Sequence, residues 1–128
     1  MKFVHYHIPM YPSCKKGPKD TRVQNEGRDL WVPLFDKHKV TAGLENHVHG
    51  FKKTHLLKGG KKVESDGTYY LGDGSWGALK PSCTAVNQDV IESENLFNHV
   101  WFINVNIPEN KVSYKAVTPT GESLADFY

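Results

Sequence analysis

The apolar residues of this chain come in short runs separated by glycine and proline. These interruptions restrict the folds that the chain can adopt. The sequence has 128 residues, with 11 glycines and 7 prolines. Apolar runs of about four to eight residues between turn residues are typical of strands. No run approaches the about 20 apolar residues that cross a bilayer, so we expect no transmembrane segment and no membrane partner. The pattern predicts a single unit, residues 1–128, built mostly from strands.

Strand-like and loop-like segments alternate along the chain. The predicted strands are Phe3–Val4, Val40–Leu44, Thr54–Leu57, Gly67–Leu71, His99–Ile107, Val112–Val117 and a last strand after Gly121. The turn Lys58–Lys61 is predicted to join the third of these to the fourth, and the fifth and sixth are predicted to form a hairpin. Predicted loops cover Pro9–Asp20 and Gly72–Gly77, and Asn87–Asn95 is predicted to be a loop or a short helix.

One segment, Arg28–Lys39, has helical periodicity. Its large apolar residues fall on one face of a helix and are therefore expected in the core: Leu30, Trp31, Leu34 and Phe35. The basic residues at its end suit a helix carboxyl terminus. The fold class is therefore α/β, mostly strands with one main helix.

Composition and charge narrow the function classes. The chain is 38% hydrophobic and 23% charged with a net charge of +2, which argues against disorder and against nucleic acid as a partner. The amino-terminal residues contain no apolar signal-peptide core. Of the two cysteines, Cys14 and Cys83, a long-range disulfide and two free buried thiols are both open interpretations.

Histidines at two-residue spacing are the main chemical signal. His47 and His49 flank Val48, and in an extended segment such residues project to the same face, where two imidazoles can share an ion. His5 and His7 repeat the spacing after the first strand. The pair alone is a weak signal, because packing in a strand explains it equally well. A cupin is excluded because Lys53 occupies the position where its glutamate is needed.

Four segments in order resemble the purple acid phosphatases and related calcineurin-like metallophosphoesterases. Val4–Ser13 (VHYHIPMYPS) is similar to that family's "His-x-Pro-x-Tyr" loop. Pro33–Val40 followed by Asn46–Thr54 (NHVHGFKKT) resembles its helix and "Gly-His-x-His-Ala-Tyr-x-Arg-Thr" block. Gly67–Gly77 (GTYYLGDGSWG) resembles a "Gly-Thr-x-Tyr-x-Gly-Asp-Gly-x-Trp-Gly" loop found in a subset of members.

The resemblance implies a metal site and a reaction. His7 and His47 would hold one ion and His49 the other, in a centre of two transition metals, iron paired with zinc, manganese or iron. Such a centre hydrolyses phosphate esters by attack of a metal-generated hydroxide. The implied fold is part of a four-layer α/β/β/α sandwich, and many members are secreted or vacuolar. No residue is assigned a catalytic or substrate-binding role here.

Departures from the family pattern limit this interpretation. Asn46 replaces a glycine, which requires either a relaxed turn or a left-handed asparagine, and Lys53 replaces an arginine. The carboxylates and asparagine of the family's amino-terminal half are absent from this sequence. We therefore expect the carboxyl-terminal portion of a catalytic domain, which binds at most one ion by itself and needs an amino-terminal half as partner. The alternative is a non-catalytic remnant that binds one metal or a protein.

Overall fold

The structure, a computed structural model, describes residues 1–15, 17–72, 84–85, 89–95 and 98–128. Within these ranges the helices are α1 (Pro18–Leu30) and α2 (Val32–His38). The strands are β1 (Phe3–Tyr6), β2 (Cys14–Lys15), β3 (Ala42–Glu45), β4 (Phe51–Thr54), β5 (Leu57–Lys58), β6 (Lys61–Lys62), β7 (Tyr69–Gly72), β8 (Thr84–Ala85), β9 (Ile91–Asn95), β10 (Val100–Asn106), β11 (Lys111–Val117) and β12 (Ser123–Phe127).

A five-stranded mixed sheet forms the centre of the fold, in the order β1-β3-β7-β4-β9. β1, β3 and β7 run parallel, and β4 and β9 pair antiparallel. Along β7 the side chains alternate between the two faces, so that Tyr70 packs on the helix side and Leu71 on the other. Because β1 and β3 are parallel neighbours, the loops that follow them emerge at the same edge of the sheet.

The helical layer is a single bent helix. α1 begins at Pro18, where a missing N–H is tolerated, and the chain bends at Trp31 before α2, which has Pro33 in its first turn. The predicted helix Arg28–Lys39 therefore starts ten residues too late, and the predicted loop Pro9–Asp20 ends inside α1. Sequence periodicity missed α1 because its buried side is small: of its described residues only Gln24 is buried.

The predicted apolar face of the helix is largely wrong. Phe35 is buried, but Leu30, Trp31 and Leu34 are 65%, 47% and 50% exposed. The bend at Trp31 changes which side faces the sheet, so that Val32 and Phe35 enter the core with Met10, Tyr11 and Tyr70. The other three side chains form an exposed surface, called the helix patch below.

The third layer is the antiparallel sheet β10-β11-β12, which packs on the face of the central sheet opposite the helices. Tyr114 from β11 contacts Ala42 and Leu71, and its ring lies 4.8 Å from that of Phe127. The predicted carboxyl-terminal hairpin is confirmed by β10 and β11, and the predicted last strand by β12.

Two predictions around the central sheet need correction. Residues 91–95 form strand β9 rather than a loop or helix, because a polar edge strand lacks the apolar signal of a buried one. The turn at Lys58–Lys61 joins β5 to the two-residue strand β6, and not to β7, because Gly59 and Gly60 both have positive φ and close a tight hairpin. The predicted strand Thr54–Leu57 is instead divided between β4 and β5. The predicted loop at Gly72–Gly77 lies mostly outside the described residues.

The prediction of a mixed α/β fold, mostly strands with one main helix, is confirmed. Cys14 is disulfide-bonded, which excludes its interpretation as a free thiol, while Cys83 lies outside the described residues. In the described part of the chain, neither helix has the length and apolarity needed to span a membrane.

Candidate metal centre

The loops after β1 and β3 bring two of the predicted ligands together. His7 follows β1 directly, and His47 lies two residues after the end of β3. The Nε2 atom of His7 is 3.0 Å from the Nδ1 atom of His47, and the ring centroids are 4.8 Å apart. The parallel pairing of the two strands thus converts residues 40 positions apart into neighbours.

The backbone between β3 and β4 is not extended, contrary to the premise of the two-residue spacing. His47 has φ 68° and His49 φ 54°, and the Val48 N–H donates to the Asn46 carbonyl over 2.8 Å. His47 is therefore the central residue of a γ-turn and has a positive φ, which is an uncommon and strained conformation. The side chains of His47 and His49 are directed by these turns and not by strand alternation.

Asn46 resolves the question raised by the missing glycine. The φ angle of Asn46 is not positive, and the left-handed conformation is adopted by His47 and His49 instead. Its amide Nδ2 lies 2.7 Å from His5 Nε2 and donates to the Tyr6 carbonyl at 2.9 Å. Asn46 thereby ties the loop after β3 to β1, and His5 supports this loop from outside the ligand pair.

The second ring nitrogen of His47 contacts a carboxylate. Its Nε2 lies 3.1 Å from Asp20 Oδ2, in the first turn of α1. Both groups are about four-fifths shielded from solvent. The ring of His47 is therefore fixed on one side by the helix layer and faces His7 with the other nitrogen.

A buried polar network fixes the positions of the two loops. Glu45, the last residue of β3, accepts hydrogen bonds from the Tyr6 hydroxyl and the Met10 N–H, both at 2.7 Å, and pairs with Lys52 of β4. Lys52 also donates to the Tyr11 carbonyl at 2.7 Å. Glu45 and Lys52 are both buried, so this ion pair bonds the loop that carries His7 to the strand end that precedes His47.

The network shifts the pKa of its members. Burial, reinforced by the charge of Glu45, raises the pKa of the Tyr6 hydroxyl far above its usual range, so that it remains a donor. Burial lowers the pKa of Lys52, and the attraction of Glu45 partly opposes this. Lys52 therefore depends on Glu45 for its charge.

The histidine pair has the donor chemistry and separation for one transition-metal ion. Two imidazole nitrogens about 2.1 Å from one ion are about 3.0 Å apart when they subtend about a right angle at it. Across the described residues, however, no three histidine, cysteine, aspartate or glutamate side chains are grouped to hold an ion. His49 is half-buried, and its role as a ligand to a second ion remains a prediction.

Sequence reasoning missed Asp20 and the Glu45–Lys52 pair. Asp20 was placed at the end of the predicted loop Pro9–Asp20 and is 27 positions from His47. Glu45 ends the small apolar strand Ala42–Glu45, and an acidic residue at the end of a buried strand was the available signal. His99, at the start of the predicted strand His99–Ile107, is buried, and its Nε2 lies 2.7 Å from the Gly72 carbonyl oxygen.

Comparison with known proteins gives matches at the level of structure. No protein-family model and no curated protein sequence matches the chain. Purple acid phosphatase PPD1 from yellow lupin (Lupinus luteus) seeds superposes with a TM-score of 0.75 at 16% identity, over 98% of this chain and 24% of the phosphatase. GAP50, the anchor in the inner membrane complex of Plasmodium, superposes with a TM-score of 0.61 at 14% identity, over 94% of this chain and 33% of that protein.

These likenesses establish a shared fold. The chain spans about a quarter of the length of the phosphatase and a third of that of the anchor protein. The fold predicted from the sequence motifs is therefore found in a solved structure, although the sequence identity to that structure is low.

Proposed function

We propose that residues 1–128 are the carboxyl-terminal portion of a metal-dependent phosphoric-ester hydrolase of the acid phosphatase type. His7 and His47 bind one transition-metal ion, and His49 binds the second ion of a two-metal centre. The missing ligands come from an amino-terminal half. The observation that carries the proposal is the 3.0 Å approach of His7 Nε2 to His47 Nδ1. The shared fold with a purple acid phosphatase supports it.

The residues of this chain would contribute uncharged ligands. When bound, the two ions would supply a hydroxide near neutral pH and neutralise charge on the phosphoryl oxygens. Neutral imidazoles add no negative charge to the site and so do not repel a phosphate monoester. The Glu45–Lys52 network holds the two loops, and therefore the spacing between the histidines, from within the core.

The isolated chain is expected to be a deficient catalyst. A two-metal centre needs oxygen ligands, a bridging carboxylate in particular, and iron in its trivalent state favours such ligands. We expect the chain to bind at most one ion and to hydrolyse p-nitrophenyl phosphate no faster than the double variant His47→Ala, His49→Ala.

The test combines metal binding with activity. Equilibrium dialysis against Zn²⁺ compares the chain with this double variant and with a control, His38→Ala, His55→Ala, which removes two histidines outside the candidate site. We expect the chain and the control to retain one ion and the double variant to lose it. Turnover that disappears in the double variant would instead show that the chain is a complete catalyst, and equal binding by all three proteins would refute the metal site.

The second candidate function is a non-catalytic module that binds a protein partner. It is favoured by the helix patch, where the large apolar side chains of Leu30, Trp31 and Leu34 are exposed on the bent helix. A related fold also occurs in a protein described as an anchor. This candidate predicts no histidine-dependent metal binding, together with loss of partner binding in Leu30→Ser, Leu34→Ser. The hydrolase proposal predicts the opposite result for the metal.

A further inference from the structure

We infer that Asp20 is a positioning residue that fixes the ring orientation and tautomer of His47 for metal binding. The inference rests on the proposed function, because it assigns His47 Nδ1 as the ligand atom. It extends the site to the first turn of α1, to which the sequence motifs assign no role. The contact that carries it is the 3.1 Å separation of Asp20 Oδ2 and His47 Nε2.

Hydrogen-bond chemistry selects the tautomer. An ionised carboxylate only accepts, so the Nε2 atom that faces Asp20 carries the proton, and in the neutral ring Nδ1 then carries a lone pair. This lone pair points at His7 Nε2, 3.0 Å away, and without a metal a proton on His7 must lie between them. His47 is therefore already in its ligand form, and only His7 has to change tautomer when an ion binds. A carboxylate behind a ligating histidine commonly has this effect.

The position of Asp20 is fixed by the packing of α1. The helix begins at Pro18 and approaches the His7 loop closely at Gly27, where an added Cβ would lie 3.4 Å from Met10 Cε. Met10 is itself bonded to Glu45, at the end of the strand that leads to His47. The carboxylate and the imidazole are thus held by connected elements.

A purely structural role for Asp20 makes different predictions. A carboxylate in the first turn of a helix also interacts favourably with the helix dipole. The double variant Lys19→Asp, Asp20→Ala keeps one carboxylate in the first turn but moves it away from His47. Asp29→Ala removes an exposed carboxylate from the same helix and serves as the matched control.

Two measurements test the inference. In the metal-free protein, ring ¹⁵N chemical shifts should show the Nε2–H tautomer of His47 in the parent chain and in Asp29→Ala, and a tautomer mixture in Asp20→Ala. Titration with Co²⁺ should then show an affinity about 10- to 100-fold weaker in both Asp20→Ala and the double variant, at unchanged thermal stability of the double variant.

The outcomes separate the inference from the proposed function. If the parent chain binds Co²⁺ through His7 and His47 but Asp20→Ala binds it equally tightly, the positioning role is refuted and the hydrolase proposal stands. Recovery of affinity in the double variant would also refute it, in favour of a helix-dipole effect. If the parent chain binds no Co²⁺, the proposed function fails, and the metal-positioning role of Asp20 fails with it, whatever the tautomer of His47.

Discussion

Glu45 and Lys52 form a buried ion pair. Replacing Glu45 by glutamine keeps the shape of the side chain but removes the carboxylate that pairs with the buried Lys52 ammonium. Breaking one partner of a buried ion pair typically costs about 3–5 kcal/mol. On that scale we expect Glu45→Gln to lower the free energy of unfolding by about 3 kcal/mol, measured by urea denaturation.

Glu26→Gln is the matched control for this change. Glu26 pairs with Arg22 over 2.9 Å on the surface of α1, where both side chains are more than half exposed. An exposed pair of this spacing contributes about 0.3–0.5 kcal/mol. Equal losses of unfolding free energy in the two variants would contradict the role of Glu45 in the buried network that holds the two loops.

For individual residues, the sequence identified the candidate ligands but not the side chains that surround them. The family motifs singled out His7 and His47, and the structure brings their nitrogens within 3.0 Å. Asp20 and Glu45 were not identified, because a contact between residues 27 or 35 positions apart leaves no local pattern. Their roles depend on pairings that only the assembled sheet and helix create.

Two glycines in regular elements are expected to respond oppositely to alanine. Gly27 lies within α1, and its new Cβ would touch the flexible Met10 side chain at 3.4 Å. Alanine is better than glycine in a helix by about 1 kcal/mol. We predict that Gly27→Ala raises the free energy of unfolding by about 0.5–1 kcal/mol in urea denaturation.

Gly72, at the end of β7, provides the contrast. Its Cβ would lie 2.7 Å from Lys52 Cβ and 3.0 Å from the Gly50 carbonyl oxygen, atoms that cannot move without shifting β4. Overpacking of this kind should make Gly72→Ala lower the free energy of unfolding by about 1–3 kcal/mol in urea denaturation. Stabilisation by Gly72→Ala would show that the approach of β4 to β7 is looser than the structure has it.

Elements were predicted well where their apolar pattern was strong. The hairpin of β10 and β11 was found because β-prone side chains recur on both sides of a turn. The helix α1 and the strand β9 were missed because both are mainly polar, and their formation depends on tertiary packing.

The whole molecule should lose stability in alkaline solution. Burial raises the pKa of Tyr11 and of Tyr114 from the ordinary 10.0 to about 12 in each case. Between these values the unfolded chain releases tyrosine protons that the folded chain retains. The free energy of unfolding therefore falls as pH rises, by up to about 1.4 kcal/mol per pH unit for each tyrosine.

The window from pH 10.5 to about 12 excludes the opposing contribution of Lys52. Lys52, whose pKa is lowered by burial, contributes the opposite slope only below the ordinary lysine value of 10.5. Urea denaturation across the window should give a shallower decline for Tyr11→Phe than for the parent chain. A flat profile in the parent chain would contradict the burial of these hydroxyls.

The central claim is the proposal that His7 and His47 together bind one metal ion. Titration of the ¹⁵N-labelled chain with paramagnetic Co²⁺, followed through the histidine ring resonances, identifies the ligands directly. The account predicts that the signals of His7 and His47 shift and broaden together at the lowest Co²⁺ concentrations, before those of His38 and His55. Simultaneous response of all the rings, or a first response at His38 or His55, would contradict it.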